Sequence, residues 1–413
     1  MNKIESQDLK QEDSLIGLAQ LMRMAVSGVD LGPLGSQLIA RAGADPRTAN
    51  ANALMDLSTV LQLRGDRELA MDIQSQALAI QQLYSPPCAL VDRGTAVLKL
   101  LAIMGPGDLM SNSPIEFLLE DADVALDIVY VSHDLDLPEV LPEHDVLFIA
   151  IAESKENVPL LNKIETAIES WPRPVLNRPA RIACLSRDNN CALLKSVPGV
   201  DMPTTVMISR QGLEQISRGE LLLSSVLDDG DFPIIVRPVD SHAGKGLERL
   251  ADADAIADYL HGTTNSEFYV SRFVDYRGAD GQFRKYRVVL IEGRPFVCHM
   301  GISAHWMIHY LNAGMAEDAG KRDEEARFMT DFDTHFALRH ADAFRAIYER
   351  VGLNYVGIDC AETADGKLLI FEVDSCMIVH AVDSVDIFPY KQPQMQKVFS
   401  AFRQMLVHAV KKN

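Results

Sequence analysis

From residue 14 to residue 84 apolar side chains recur only at helical spacing, with breaks at Gly32-Pro33 and Ala44-Asp45-Pro46. Past Ala96 the pattern changes. Residues 97–104 (VLKLLAIM), 126–131 (LDIVYV) and 145–151 (DVLFIAI) are short apolar runs bounded by turn residues, and 153–169 reads as a helix after the third. This is the pattern of a small parallel α/β unit. Gly105-Pro106-Gly107 ends the first strand as a plain turn, since the full dinucleotide fingerprint is missing. Beyond Arg187 the reading is a helix at 190–196, a strand at 232–236, a glycine-containing loop and a helix at 253–259. A strand at 268–274, hairpin strands at 285–291 and 294–300, a polar stretch near 317–327 and a helix at 332–351 lead to a last hairpin. Strands and helices mixed with antiparallel hairpins predict an α+β domain joined to the parallel one.

That last hairpin carries the strongest chemical signal. Residues 354–359 and 368–374 flank Asp365-Gly366, a two-residue hairpin signal. A two-residue turn pairs Ala364 with Lys367 and sets Asp359 opposite Glu372, with Asp374 two positions further along the same face. Ile358, Cys360, Phe371 and Val373 take the other, core-facing side. Like charges across a ladder destabilise it, so three clustered carboxylates predict an oxygen-ligated Mg²⁺ or Mn²⁺.

Basic residues gather upstream. The apolar strand at 232–236 runs into Arg237, followed by Ser241, Gly244, Lys245 and Gly246, small residues whose backbone N–H groups suit an anion. The loop does not match the P-loop spacing. A turn at Glu292-Gly293 puts Lys285 and Arg287 on one face of their strand, which reads either as a solvated edge or as cations opposing the acidic site across a phosphoryl group. His305 and His309 stand one helical turn apart without a third metal ligand nearby, so they read as substrate contacts or as part of an aromatic-capped turn.

Composition narrows the classes. A chain of 413 residues is too long for one ordinary core, and two or three domains are expected. Lys+Arg 39 against Asp+Glu 58 gives a net charge of -19, which argues against non-specific nucleic-acid or anionic-membrane binding. The six cysteines are scattered, without CxxC or zinc spacing, and most of them read as buried thiols of a reducing compartment. The opening MNKIESQDLKQED lacks a signal-peptide core and no apolar run reaches a membrane span, so a cytoplasmic location is expected.

Two resemblances add to this. Residues 51–84 resemble one tetratricopeptide repeat, with Leu54, Leu57, Leu61, Ala70 and Ala77 at the interlocking positions and Gly65-Asp66 at the turn. An array needs several units, so the segment reads as a helical hairpin that packs on a neighbour or forms a homodimer. Over roughly 95–410, the α/β domain, the strand-cation-glycine loop, the apolar strand at 268–275 and the Gly-Ile-Asp…Phe-Glu-Val-Asp hairpin together resemble the ATP-grasp superfamily. The nearest branch is that of glutathione synthetase and the ribosomal-protein glutamate ligase.

The resemblance implies an ATP-grasp fold preceded by a small parallel α/β domain and a helical domain: 1–94 helical, 95–186 α/β, and 187–413 ATP-grasp with a lid near 199–270. It implies ATP with Mg²⁺ (or Mn²⁺) held by Asp359, Glu372 and Asp374, the last where the family usually has Asn. Phe273, Val274 and Asp275 match the adenine hinge and ribose contact, and Ser241, Gly244, Lys245 and Gly246 the loop over the phosphates. Arg237 and Arg287 would act on the developing charge, with Lys285, His305 and His309 facing substrate. Arg187-Asp188-Asn189 stands where the family has Asp-Lys, and Arg237 where it has a strand Lys. The implied reaction joins a small-molecule or peptide carboxylate to an amine through an acyl phosphate. The alternatives are a nucleotide-binding regulator or scaffold with little turnover, or a small-molecule kinase.

Overall fold

The computed structural model describes residues 14–45, 48–88, 93–241 and 244–412. His242, Ala243 and the predicted break at Pro46 lie outside the described residues. The chain divides into two compact units: Met1–Ala152, Pro159–Ile182 and Ser375–Asn413 form unit 1, and Glu153–Val158 with Ala183–Asp374 form unit 2. The sequence divides it otherwise, at 94/95 and 186/187. Long-range contacts that no local pattern announces account for the difference.

Unit 1 opens with α1 (Leu18–Val26), α2 (Gly32–Ala42), α3 (Ala51–Leu63) and α4 (Arg67–Ile80). Gly32-Pro33 starts α2 and does not break a helix, because a proline in the first turn gives up an N–H that has no partner there. Asn50 caps α3 by accepting the Ala53 N–H. α3 is buried almost all round, and Ser58 ties it to α4 by donating to the Ala70 carbonyl at 2.8 Å. Full burial of leucines such as Leu21 and Leu38 contributes about 2 kcal/mol each.

These helices join a five-stranded sheet in the order β1-β3-β2-β4-β5. Its strands are β1 (Leu83–Tyr84), β2 (Leu98–Met104), β3 (Val124–Tyr130), β4 (Val146–Ile149) and β5 (Val175–Leu176). β2 runs parallel to β3 and β4, β4 runs parallel to β5, and β1 is antiparallel to β3. In the chain α5 (Ile115–Leu118) lies between β2 and β3, α6 (Val158–Ala167) between β4 and β5, and α7 (Pro179–Ile182) follows β5. Helix α1 is fastened to the α/β part through Arg23, which donates to Glu120 at 2.6 Å. The C-terminal helix (Lys391–Lys411) returns to it through Arg403, fork to fork on Asp123 at 2.5 and 2.6 Å, and through Phe402 against Phe148.

Unit 2 contains two sheets. The first, β7-β10-β8-β9, is antiparallel and comprises β7 (Thr205–Ser209), β8 (Ile234–Pro238), β9 (Glu248–Leu250) and β10 (Glu267–Arg272). Between α8 (Arg187–Leu194) and β7 comes β6 (Val200–Asp201). Helices α9 (Arg210–Ser217) and α10 (Ala253–His261), capped by Ser209 and Asp252, share a core with this sheet built on Leu213, Ile216, Val236, Ile256 and Phe268.

The second sheet, β12-β11-β13-β14-β6, contains β11 (Phe283–Ile291) and β12 (Arg294–Ser303), then β13 (Tyr355–Glu362) and β14 (Leu368–Asp374). The helix expected over 332–351 is split into α12 (Phe336–Arg339) and α13 (Ala341–Val351), and the polar stretch before it is α11 (Ala319–Asp331). Asp318 caps α11, and its buried Glu325 accepts the Met300 N–H at 2.8 Å and the Tyr310 hydroxyl at 3.0 Å. An acid turned inward takes the place of an apolar stripe. Among the described residues no helix is long and apolar enough to cross a membrane.

Candidate functional site

The β13–β14 hairpin reaches the expected pairing by another route. Thr363 pairs with Lys367 across Ala364-Asp365-Gly366, and only Gly366 (φ 79) among these has positive φ. A two-residue type I′ turn needs positive φ at both central positions, so the loop takes three residues. That alone would shift the ladder by one. An irregularity between Asp359 and Cys360 absorbs the shift: Cys360 faces Ile370, Asp359 faces Glu372, and Phe371 is the extra residue of a bulge. Asp374 lies opposite Gly357. The Phe371 carbonyl accepts from Arg187 at 3.1 Å, and its ring packs on Tyr276.

The carboxylates do not wait for a metal to balance them. β11 pairs with β13 so that Arg287 is the direct partner of Asp359, and period two puts Lys285 on the same face. Arg287 grips Asp359 with two bonds, at 2.8 and 3.0 Å, and Lys285 adds a third at 2.9 Å. Asp359 is 3% exposed. Burial alone would raise its carboxyl, yet Arg287 and Lys285 hold it well below the ordinary range. Glu372 behaves alike: burial opposes ionisation, and Arg187, which donates to Glu372 Oε1, with Arg237 lowers the carboxyl. The repulsion that argued for a cation from the sequence is relieved by four cations of the chain itself. Among the described residues no three His, Cys, Asp or Glu side chains gather so as to hold a metal alone.

Beside Glu372 lies a cavity of about 50 Å³, lined among others by Glu153, Arg187, Asp240, Ser241, Tyr269 and Asp374. Alternation along β8 and β10 buries Val236 and Phe268 in the α9/α10 core and turns Arg237 and its cross-strand partner Tyr269 to the other face. Arg237 donates to Ser241 Oγ at 3.2 Å and to the Ser241 carbonyl, and Ser241 Oγ donates to the Pro238 carbonyl. Burial, then Arg187, pushes the Arg237 guanidinium down to about 10. At the acidic end, burial raises Glu153 to about 7, helped by Asp240, Asp374 and Asp188.

Asn190 is a further lining residue. Its amide nitrogen donates to the Leu185 and Val373 carbonyls, while its buried Oδ1 has no partner. Sequence reasoning does not single out Glu153, Asn190, Asp240 or Tyr269, and only the meeting of α8, β10 and β14 makes them neighbours. Asn189, beside them in sequence, is exposed.

The remaining predicted residues are dispersed. Gly244 (φ 75) and Gly246 (φ 67) are left-handed, a Cβ on Gly246 would stand 2.9 Å from the Pro238 ring, and Lys245 is exposed. β10 stops at Arg272, so Phe273, Val274 and Asp275 follow it as loop and do not line this cavity. The Phe273 N–H donates to the Pro233 carbonyl at 3.0 Å. Its ring lies under the Arg249 guanidinium and against Trp306. Asp275 is exposed and paired with Arg277 at 2.9 Å.

His305 and His309 do not share a helix face, because the segment bends and makes only a single 3-10 turn at Tyr310–Asn312. His305 Nδ1 accepts the Met307 N–H at 3.2 Å. His309 feels the cationic cluster: burial, then Lys285 and Arg287, lowers its imidazole below the ordinary value.

No family model matches the chain. Among solved structures, a D-alanine–D-alanine ligase from Bacillus anthracis complexed with ATP is 14% identical, with TM-score 0.44, over 77% of this chain and 99% of that one. A RimK domain ATP-grasp protein from Sphaerobacter thermophilus is 17% identical, with TM-score 0.43, over 75% and 99%. The VanG D-Ala:D-Ser ligase from Enterococcus faecalis is 14% identical, with TM-score 0.45, over 76% and 99%.

Proposed function

We propose that unit 2 binds a Mg-nucleotide and uses it to activate a carboxylate for attack by an amine, forming an amide or peptide bond through an acyl phosphate. The observation that carries this reading is the convergence of Arg187, Arg237, Lys285 and Arg287 on the buried Asp359 and its half-buried cross-strand partner Glu372, next to a cavity edged by Ser241 and Asp374. Clustered cations in a water-poor site suit phosphate oxygens, and their fixed placement stabilises charge that builds during phosphoryl transfer. The order of strand, cation, glycine loop and acidic hairpin along the sequence supports an ATP-grasp arrangement.

The donor chemistry fits a magnesium ion that arrives with the nucleotide. Mg²⁺ commonly takes one or two carboxylates and completes its shell with phosphate oxygens and water, so a three-carboxylate cage is not required. Glu372 and Asp374 would supply the protein oxygens, and the ion would neutralise the phosphates. Asp359 on this reading serves chiefly to hold Arg287 and Lys285 in position. Arg237 and Arg287 would meet the transferring group, Lys245 would cover it from the glycine loop, and Tyr269 with the segment to Asp275 would flank the base. Lys285 and His309, both beside Asp359, would face the acceptor substrate, with His305 four residues before His309 on its segment. No side-chain nucleophile is needed.

A second reading, nucleotide binding with little turnover, is favoured by the closure of Asp359 within three bonds. Calorimetric titration with Mg-ATP, followed by ADP and phosphate release on a panel of acids and amines, separates the two. The ligase reading expects amine-dependent phosphate release, and Glu372→Gln should weaken Mg-ATP binding about tenfold or more. Binding without phosphate release from any acid selects the second reading. Absence of Mg-ATP binding at millimolar concentration defeats both.

A further inference from the structure

Unit 1 encloses a cavity of its own, about 80 Å³, lined only by its own residues. At roughly 10–15 Å³ for one water-sized occupant, it has room for roughly five to eight such centres, the size of a small organic molecule. Its apolar lining includes Leu18, Met55, Met104 and Ile128.

Its polar lining is acidic and incompletely satisfied. Asp56, 1% exposed on α3, accepts the N–H groups of Ile16 at 2.8 Å and Gly17 at 3.0 Å. Glu116 on α5 accepts the Ala19 N–H at 3.3 Å. The approach is close enough that a Cβ on Gly17 would stand 2.7 Å from Glu116 Oε2. Two oxygens per carboxylate offer about four acceptor sites, so these N–H bonds leave capacity on each acid. Tyr84, 1% exposed, lines the cavity and its hydroxyl has no partner, and neither does the buried Oε1 of Gln62. A buried polar atom left unpaired costs about 1–3 kcal/mol, which a ligand carrying N–H donors would recover.

We infer that this cavity binds a small aliphatic amine in its ammonium form, with Asp56 and Glu116 balancing the charge, Tyr84 Oη and Gln62 Oε1 accepting N–H bonds, and the apolar wall covering the alkyl chain. An anion is repelled by the two acids. A neutral chain leaves the hydroxyl and the amide oxygen unpaired. The acids are also charge-starved: burial lifts Asp56 to about 6 although Arg41 acts on it, and burial followed by Asp56 lifts Glu116 to about 7. A bound ammonium lowers both and expels protons near neutral pH. The inference is independent of the nucleotide reading of unit 2.

The test is titration calorimetry of the full chain with n-butylamine hydrochloride at pH 7, in phosphate and in HEPES, against 1-butanol as the neutral analogue. Saturable millimolar binding of the amine is expected, with buffer-dependent heat showing proton release and at least tenfold weaker binding of the alcohol. Glu116→Gln keeps an oxygen for the Ala19 N–H and should weaken the amine about tenfold. Tyr84→Phe removes a hydroxyl that nothing in the fold uses and should weaken it several-fold. No saturable heat, equal binding of 1-butanol, or unchanged affinity in Tyr84→Phe would overturn the inference. The last holds whether or not Glu116→Gln folds.

Discussion

Replacing Asp359 by asparagine should destabilise unit 2 without altering its shape. The side chain is 3% exposed and takes three bonds from two cations. Asparagine keeps the size and one oxygen but removes the charge, leaving Arg287 and Lys285 buried without their counter-ion. Breaking a buried pair in this way costs about 3–5 kcal/mol, more than a solvent-exposed bridge could. With a urea m-value of about 3 kcal/mol/M, the midpoint should fall by about 1–1.7 M.

The pH dependence supplies the sharper check. The Asp359 carboxyl is depressed on folding from an ordinary value of 3.8, so the unfolded chain binds its proton first. Its contribution is therefore complete above pH 3.8 and declines as pH falls below it. Wild type and Asp359→Asn should differ by a constant amount from pH 7 to about pH 5, then converge toward pH 2. Urea melts followed by tryptophan fluorescence and circular dichroism at each pH measure this. A loss under about 1 kcal/mol at pH 7, or a difference that does not shrink in acid, refutes the claim that this pairing stabilises the fold. As a control, replacing Lys285, Arg287 and Asp359 together by methionine, methionine and leucine should recover most of the stability, since apolar substitutes for buried ions are often neutral.

Two further outcomes follow from the same geometry. Gly246→Ala places a methyl group 2.9 Å from the Pro238 ring at φ 67 and should cost about 1–2 kcal/mol in the loop, seen as faster amide exchange over residues 244–250; unchanged exchange would count against the strain. The imidazole of His309, lowered by burial and by Lys285 and Arg287, should titrate below 6.5 by proton NMR and rise toward that value in Lys285→Met. Its neutral folded form contributes stability above pH 6.5 that is lost as pH falls, and a midpoint unmoved by Lys285→Met would show that the lysine is not the cause.

What the sequence discloses divides along physical lines. Period-two alternation is local, so the shared face of Lys285 and Arg287 can be read directly, whereas the Asp359–Glu372 pairing expected from a two-residue turn is met only because the bulge at Phe371 offsets a three-residue loop. That these two sets meet as ion pairs depends on β11 lying against β13, some 70 positions away, which one hairpin alone does not announce. Helix α11 escapes a search for apolar stripes because Glu325 shares its buried face with Met329. His305 and His309, four residues apart, lie on a bent segment because nothing local requires it to be helical. Arg403 and Asp123, 280 positions apart, meet within unit 1, a contact that no local pattern announces. The helical hairpin of α3 and α4, fixed by its own turn, likewise needs no distant partner to be recognised.

The bulge at Phe371 has a consequence for how this chain tolerates change. A strand carries its message in phase: one inserted or deleted residue exchanges inner and outer faces from that point on. Here the hairpin tip is out of phase by one, and the bulge restores the count before the carboxylates are reached. Length at the tip and placement at Asp359 and Glu372 are thereby coupled through the bulge. The bulge is also held by the contacts that Phe371 makes, its carbonyl with Arg187 and its ring with Tyr276. A change of loop length that slides the strands past one another must therefore be matched at the bulge, or the two carboxylates lose their shared face.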